Sequence, residues 1–332
     1  MARTSWLKAF FVSVCFILPA FASAQAWVPD KGEGTVTLAL QDNFVKQHLG
    51  SSGERLDVGH IRSFILLQDI DFGITNKLAV DINIPFVRSK YYGPRPHQLP
   101  VDDGNYHNNF QDVRMSLRYN LRTRPFMITP FVALGLPSND YIYFAHSAAG
   151  TAQREYVIGC SVLRDLEGTL PRSYVQGSYL FLVPQEVMGI RTYRSRVDMD
   201  VGHFVTNRVS IRALSNLQIG HAGYQVGHSL TDGGDFPVRN PSNIMWYHHD
   251  QTSRISYLNV GGSASIGISK SWSAFLALFT TVWGRNGHAL NLGEVVGLSW
   301  TYRTPWAKPQ AVADPLEEAD PTNPTKAPTH VH

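Results

Sequence analysis

Lys77 to Phe86 reads KLAVDINIPF, and these residues decide the fold. Leu78, Val80, Ile82, Ile84 and Phe86 occupy one parity; Lys77, Ala79, Asp81, Asn83 and Pro85 occupy the other. A period of two marks a β-strand with one apolar and one polar face. In a soluble sandwich the apolar face meets a protein core. In an outer-membrane barrel it meets lipid, and the polar face lines a lumen.

Compartment narrows the choice. The chain opens MARTSWLKAFFVSVCFILPAFASAQA, with Arg3 and Lys8 before an apolar run from Ala9 to Phe21 and a small-residue site at Ala22-Ser23-Ala24. That is the layout of a secretory signal peptide cut after Ala24. The apolar run is shorter than the roughly 20 residues a membrane-spanning helix needs. Removing residues 1–24 leaves Cys160 as the only cysteine, so no intramolecular disulfide is available. No later run is long and apolar enough for a spanning helix. Charged residues are 17 % of the chain and the net charge is +3, with no basic cluster, which argues against a nucleic-acid partner.

The two-residue alternation recurs. In QDVRMSLRY, Val113, Met115, Leu117 and Tyr119 oppose Asp112, Arg114, Ser116 and Arg118. In YRSRVDMDV, Tyr193, Ser195, Val197, Met199 and Val201 oppose Arg194, Arg196, Asp198 and Asp200. VVGLSWTY sets Val296, Leu298, Trp300 and Tyr302 against smaller residues, whereas SWSAFLALFTTVW is apolar on both parities. The pattern predicts twelve strands, near 34–46, 57–74, 77–90, 110–122, 126–136, 151–164, 170–183, 192–205, 208–220, 251–268, 271–284 and 289–302.

Connections sort into two classes. Thr75-Asn76, Arg122 to Pro125, Asp165 to Thr169, Thr206-Asn207 and Ser269-Lys270 are tight, while Ser89 to Asn109, Pro137 to Gly150 and His221 to Asp250 are long. An even number of strands joined by alternating short and long connections predicts an all-β transmembrane antiparallel barrel, with short periplasmic turns and longer extracellular loops. Trp272, Trp283, Trp300, Tyr302 and Trp306 fall near strand ends, where aromatic girdles sit. The expected organisation is a signal peptide at 1–24, a barrel at 25–303 and a disordered periplasmic tail at 304–332, rich in Pro, Ala and Thr. The tail either reaches a periplasmic partner, which nothing in its composition supports, or is a solvated tail with no role.

A charge on the lipid face near midplane costs about 2–4 kcal/mol, so charged strand residues should face the lumen. Candidates for the solute path are therefore Asp81, Asn83, Asp112, Arg114 and Arg118 on the third and fourth strands, and Arg194, Arg196, Asp198 and Asp200 on the eighth. Asp69 and Asp71 join them. The competing role for each is pairing across the lumen to hold a narrow barrel shut.

DFGITNKLAVDINIPF, FQDVRMSLRYNL and PFMITPFVALGLPSND together resemble the meta-pathway phenol-degradation family of outer-membrane proteins, itself distantly similar to long-chain fatty-acid channels. The resemblance rests on Gly73, Ile74, Thr75 and Asn76 opening a strand that ends at Ile84, Pro85 and Phe86. Gln111 stands where the family has Gly before Asp112 and Val113, and Pro137-Ser138-Asn139 replaces its Pro-Thr-Gly. The resemblance implies a passive channel admitting small hydrophobic or aromatic compounds, embedded in outer-membrane lipid; no cofactor is assigned.

Two other classes stand beside it. One is a structural or surface-interaction barrel without transport. The other is a barrel enzyme such as a phospholipase, whose Ser and His must lie close on one lipid-facing surface. Ser195 and His203 share a parity, but eight residues of extended chain part them by about 26 Å. Among thirteen histidines, His221, His228, His248 and His249 form the densest group, and their spacing fits no zinc signature, so no metal site is assigned. The glycine-rich TDGGDF reads as a loop tip.

Overall fold

The computed structural model describes residues 25–57, 59–94, 99, 101–225 and 248–307. The signal peptide, TDGGDF, His228 and residues 308–332 of the tail lie outside them.

The strands are β1 (Glu33–Leu49), β2 (Arg55–Leu56), β3 (His60–Gly73), β4 (Leu78–Tyr92), β5 (His107–Phe110), β6 (Val113–Tyr119) and β7 (Met127–Leu136). They continue as β8 (Glu155–Asp165), β9 (Ser173–Pro184), β10 (Arg194–Phe204), β11 (Val209–Gly220), β12 (Ser256–Gly267), β13 (Trp272–Arg285) and β14 (Gly287–Arg303). One helical turn, α1 (His249–Thr252), precedes β12. Each long strand pairs antiparallel with its neighbour in sequence. The sheet closes where β1 meets β14, from Glu33 opposite Arg303 to Leu49 opposite Gly287. The result is a twelve-stranded antiparallel barrel, with β2 and β5 as short extensions. Closure leaves no unpaired edge, which a hydrocarbon surround would penalise.

β4 answers the question its sequence raises. Ala79, Asp81, Pro85, Val87, Ser89 and Tyr91 are buried inside, and Leu78, Val80, Ile82, Ile84 and Phe86 point outward. Elsewhere the outer wall carries Leu38, Leu40, Ile158 and Val296, each about half exposed or more. So continuous an apolar surface is the lipid-facing belt of a membrane barrel. On β4 the belt ends where Arg88 and Lys90 take over the outward parity, both set over the ring of Tyr106. Leu78 to Phe86 spans about nine residues, the length a tilted strand needs to cross a bilayer.

Three short turns share one device. Thr75 Oγ1 accepts the amides of Lys77 and Leu78, Thr206 Oγ1 those of Arg208 and Val209, and Ser269 Oγ those of Ser271 and Trp272. A hydroxyl that caps the turn amides reverses the chain without glycine. The loop end is less uniform than the sequence suggests, because β13 and β14 join through Asn286 alone, at φ 55°.

Three boundaries differ from expectation. The fourth predicted strand breaks at Gln111-Asp112, where Gln111 N–H donates to the Pro85 carbonyl. The tenth starts at Ser256 because α1 takes its first residues. The tail's first residues fold back, with Thr304 N–H donating to Gly32 O at 2.8 Å.

The two-sided apolar strand β13 is resolved by packing. Phe275 and Ala277 turn inward against Ala39 and Val295, while Trp272, Leu276 and Leu278 face out. Phe275 and Phe279 lie opposite Gly297 and Gly293. A Cβ at either glycine would meet the ring at 2.3 or 2.5 Å. The seam is therefore narrow and apolar because β14 lacks side chains there.

Candidate functional site

The lumen is built by inward parity on β3, β4, β6, β8, β10 and β11. On one wall Asp71 lies opposite Asp81 and Asp69 opposite Asn83. Three carboxylates there meet a single guanidinium, Arg118, whose side chain is 3 % exposed and pairs with Asp71. Asn83 donates to Asp69 at 3.4 Å and Ser116 to Asp81 at 3.4 Å.

On the facing wall the charges form a chain. Glu155 bridges Arg114, at 2.6 Å, and Arg194. Arg196 pairs with Asp198 at 3.3 Å, and Asn216 also donates to Asp198. Asp200 takes Arg212 at 3.2 Å and the Tyr174 hydroxyl at 3.2 Å. All the strand charges singled out from sequence thus lie inside. Asp112, just before β6, instead accepts from Tyr141 OH at 2.6 Å and ties a loop to the wall. Glu155, Arg212 and Tyr174 were not anticipated, although Arg212, a lone strand charge, could have been placed inside by the parity rule.

Among the described residues, a segment enters this lumen at each end. At the turn end the segment 25–30 enters the barrel: Ala26 is fully buried, its N–H donates to Gln176 Oε1 at 3.1 Å, and its carbonyl accepts from Thr129 at 2.6 Å. Arg118 donates to the carbonyls of Gln25 and Trp27, at 3.3 and 3.0 Å. The Trp27 ring meets Tyr174 edge-on, 5.4 Å between centroids. At the loop end residues 137–154 fold inward and bury Tyr141, Phe144, Ala145, His146 and Ser147. Asp102 fixes that loop, its carboxylate accepting from the amides of His146 and Ser147 and from the Ser147 hydroxyl at 2.9–3.1 Å. Gln251 of α1 locks on from the other side by donating to Thr151 O at 2.7 Å.

Beside the turn-end segment lies an open-sided cavity of about 390 Å³. Its wall combines Arg196, Asp198, Arg212 and Asn216 with the apolar faces of Trp27 and Phe279.

On the outer surface His203 does not pair with Ser195: its Nδ1 meets Ser173 Oγ at 2.8 Å. Ser195 Oγ instead lies 2.7 Å from His221 Nε2 and 2.8 Å from Tyr179 OH. Among the described residues no carboxylate is hydrogen-bonded to His221.

No family model matches this chain, and no curated protein does. Solved structures do match. An outer membrane channel from Pseudomonas putida F1 superposes with a TM-score of 0.63 at 12 % identity, over 86 % of this chain and 100 % of that one. The NanC porin reaches 0.47 at 9 % identity, over 80 % and 98 % of the two chains. The KdgM porin reaches 0.40 at 9 %, over 81 % and 99 %. At such identities the likeness is one of fold, and the Pseudomonas channel shares the barrel along its whole length.

Proposed function

We propose that this protein is an outer-membrane channel for passive uptake of small solutes, with small aromatic compounds as the class it admits. The observation that carries the reading is the open-sided cavity of about 390 Å³ in the lumen. It falls near the lower end of small-molecule sites, about 300–1,000 Å³, and so holds a single-ring compound rather than an oligomer. Trp27 and Phe279 offer ring faces, and Arg196, Arg212 and Asn216 offer donors to a phenolic or carboxylate oxygen. The outer-membrane setting is supported by the lipid-facing belt, the N-terminal signal layout and the shared fold. The aromatic substrate class is supported by the resemblance to the phenol-degradation family.

The segment at 25–30 borders the cavity through Gln25 and Trp27, so it stands on the proposed path. The inward charges act in two ways. Their pairs hold the wall together, and those at the cavity, Arg196 and Asp198 first, meet the solute.

The test is conductance of the purified protein in planar bilayers, with and without phenol. Stepwise currents that phenol reduces in a concentration-dependent way are expected, and Arg196→Ala should weaken the block. A silent membrane containing folded protein would overturn the channel and favour a structural barrel. Currents indifferent to phenol would overturn only the substrate class.

A further inference from the structure

The loop-end closure brings together side chains that no sequence spacing connects. His48 is at the end of β1, His288 opposite it at the start of β14, and His146 on the inward loop. Their rings pack edge-to-face, 4.3 Å between the centroids of His48 and His288 and 4.9 Å between those of His48 and His146. One ring nitrogen from each lies within 4.8 Å of the others. From these positions we propose that His48, His146 and His288 form a binding site for a divalent transition-metal cation of the Zn²⁺ class, pinning the loop at 137–154 to the β1–β14 seam.

Three arguments support the assignment. The first is chemical. Three imidazoles are a donor set for zinc and its neighbours rather than for calcium or magnesium. The second is geometric. Zn–N bonds of about 2.0–2.1 Å in a tetrahedron put ligand nitrogens about 3.4 Å apart. The widest separation here has to close by roughly 1.4 Å, within reach of side-chain rotation. A water would take the fourth position. The third is preorganisation. Asp102 holds the His146 backbone, and the His146 ring stacks on buried Tyr91 at 4.3 Å. His48 and His288 face each other because register shifts between Phe44 and Gln47 turn the end of β1 over. Without that irregularity His48 would share the outward parity of Leu38 and Leu40.

The test uses the folded barrel in detergent, stripped with a chelator and titrated with Zn²⁺ in a calorimeter. Heat-modifiable gel mobility confirms that each variant is folded. One equivalent binding at or below about 10 µM is expected. His146→Ala, which changes a loop and leaves the barrel strands intact, should weaken that affinity at least tenfold, whereas His221→Ala should not. Zn²⁺ should also slow proteolysis within 137–154 in the unaltered protein, an effect independent of any variant. No saturable binding, binding unchanged in folded His146→Ala, or a loop whose proteolysis ignores Zn²⁺ would overturn the site.

Discussion

The two ends of the lumen hold their inserted segments by opposite strategies. At the turn end an extended segment contributes backbone carbonyls, and a buried arginine from the wall grips them. At the loop end the wall and a neighbouring loop contribute side chains, and a carboxylate grips backbone amides. The first closure is tied to the buried charges of the barrel, and the second rests on surface loops. The difference teaches where stability and permeability should be coupled. Disturbing the turn-end closure should alter both, while disturbing the loop-end closure should alter permeability and local protection alone.

Arg118 is where that contrast breaks most visibly. Among the described residues it is the one guanidinium beside Asp69, Asp71 and Asp81, and it holds both Gln25 and Trp27. Arg118→Ala leaves three buried acidic side chains without their cation, and removing one partner of a buried pair costs about 3–5 kcal/mol. The expected outcome is a lowered urea midpoint in detergent together with a raised single-channel conductance. A variant as stable as the parent would show that the acidic wall is not held by this residue.

Asp102→Ala is the matching disturbance at the other end. It removes the acceptor for two amides and a hydroxyl, about 1–3 kcal/mol for buried groups left unsatisfied. Because the loop can open without unstitching strands, the loss should appear as faster proteolysis within 137–154 and noisier current, with the global unfolding midpoint nearly unchanged. A fall in that midpoint as large as for Arg118→Ala would erase the distinction between the two closures.

Trp27→Ala isolates the packing part of the turn-end closure. The edge-on contact with Tyr174 is worth about 0.5–1.5 kcal/mol beyond the area it buries. Conductance should rise, less than for Arg118→Ala, since the backbone of the segment keeps its arginine. Phenol block should also weaken, because the same ring lines the cavity. Unchanged block would remove Trp27 from the solute path.

These elements differ in how far the sequence reveals them. The strands, the lipid face of β4 and the inward Arg114, Arg118, Arg194, Arg196, Asp198 and Asp200 follow from parity, since lipid permits one arrangement of charge. Glu155 and Arg212 obey the same rule and complete the pairs, yet which acid meets which arginine depends on strand registers that alternation does not encode. The segment at 25–30 carries no periodicity, and its burial depends on the space the barrel leaves. The His48, His146 and His288 cluster is hidden for two reasons. Its members lie on three distant segments, and an irregular strand reverses the parity of one of them. The denser histidines at His248 and His249 drew attention through spacing alone, while the convergence occurs elsewhere.

The smallest effect concerns Asp103, on the loop beside Asp102. Its carboxyl is held at about 2, first by the His107 side chain and then by the side chain and amide of Asn105. The direction is downward, so the ionised form is favoured in the folded loop. Any contribution is present above the unfolded value of about 3.9 and is lost as pH falls through about 2. Asp103 is fully solvated, and water and salt screen such a contact. Proteolysis within 137–154 should therefore be the same for Asp103→Asn and the parent at pH 7. A strong acceleration in Asp103→Asn would mean that the loop-end closure depends on an exposed carboxylate as much as on buried Asp102. The contrast between a solvated rim and a gripped backbone would then have to be redrawn.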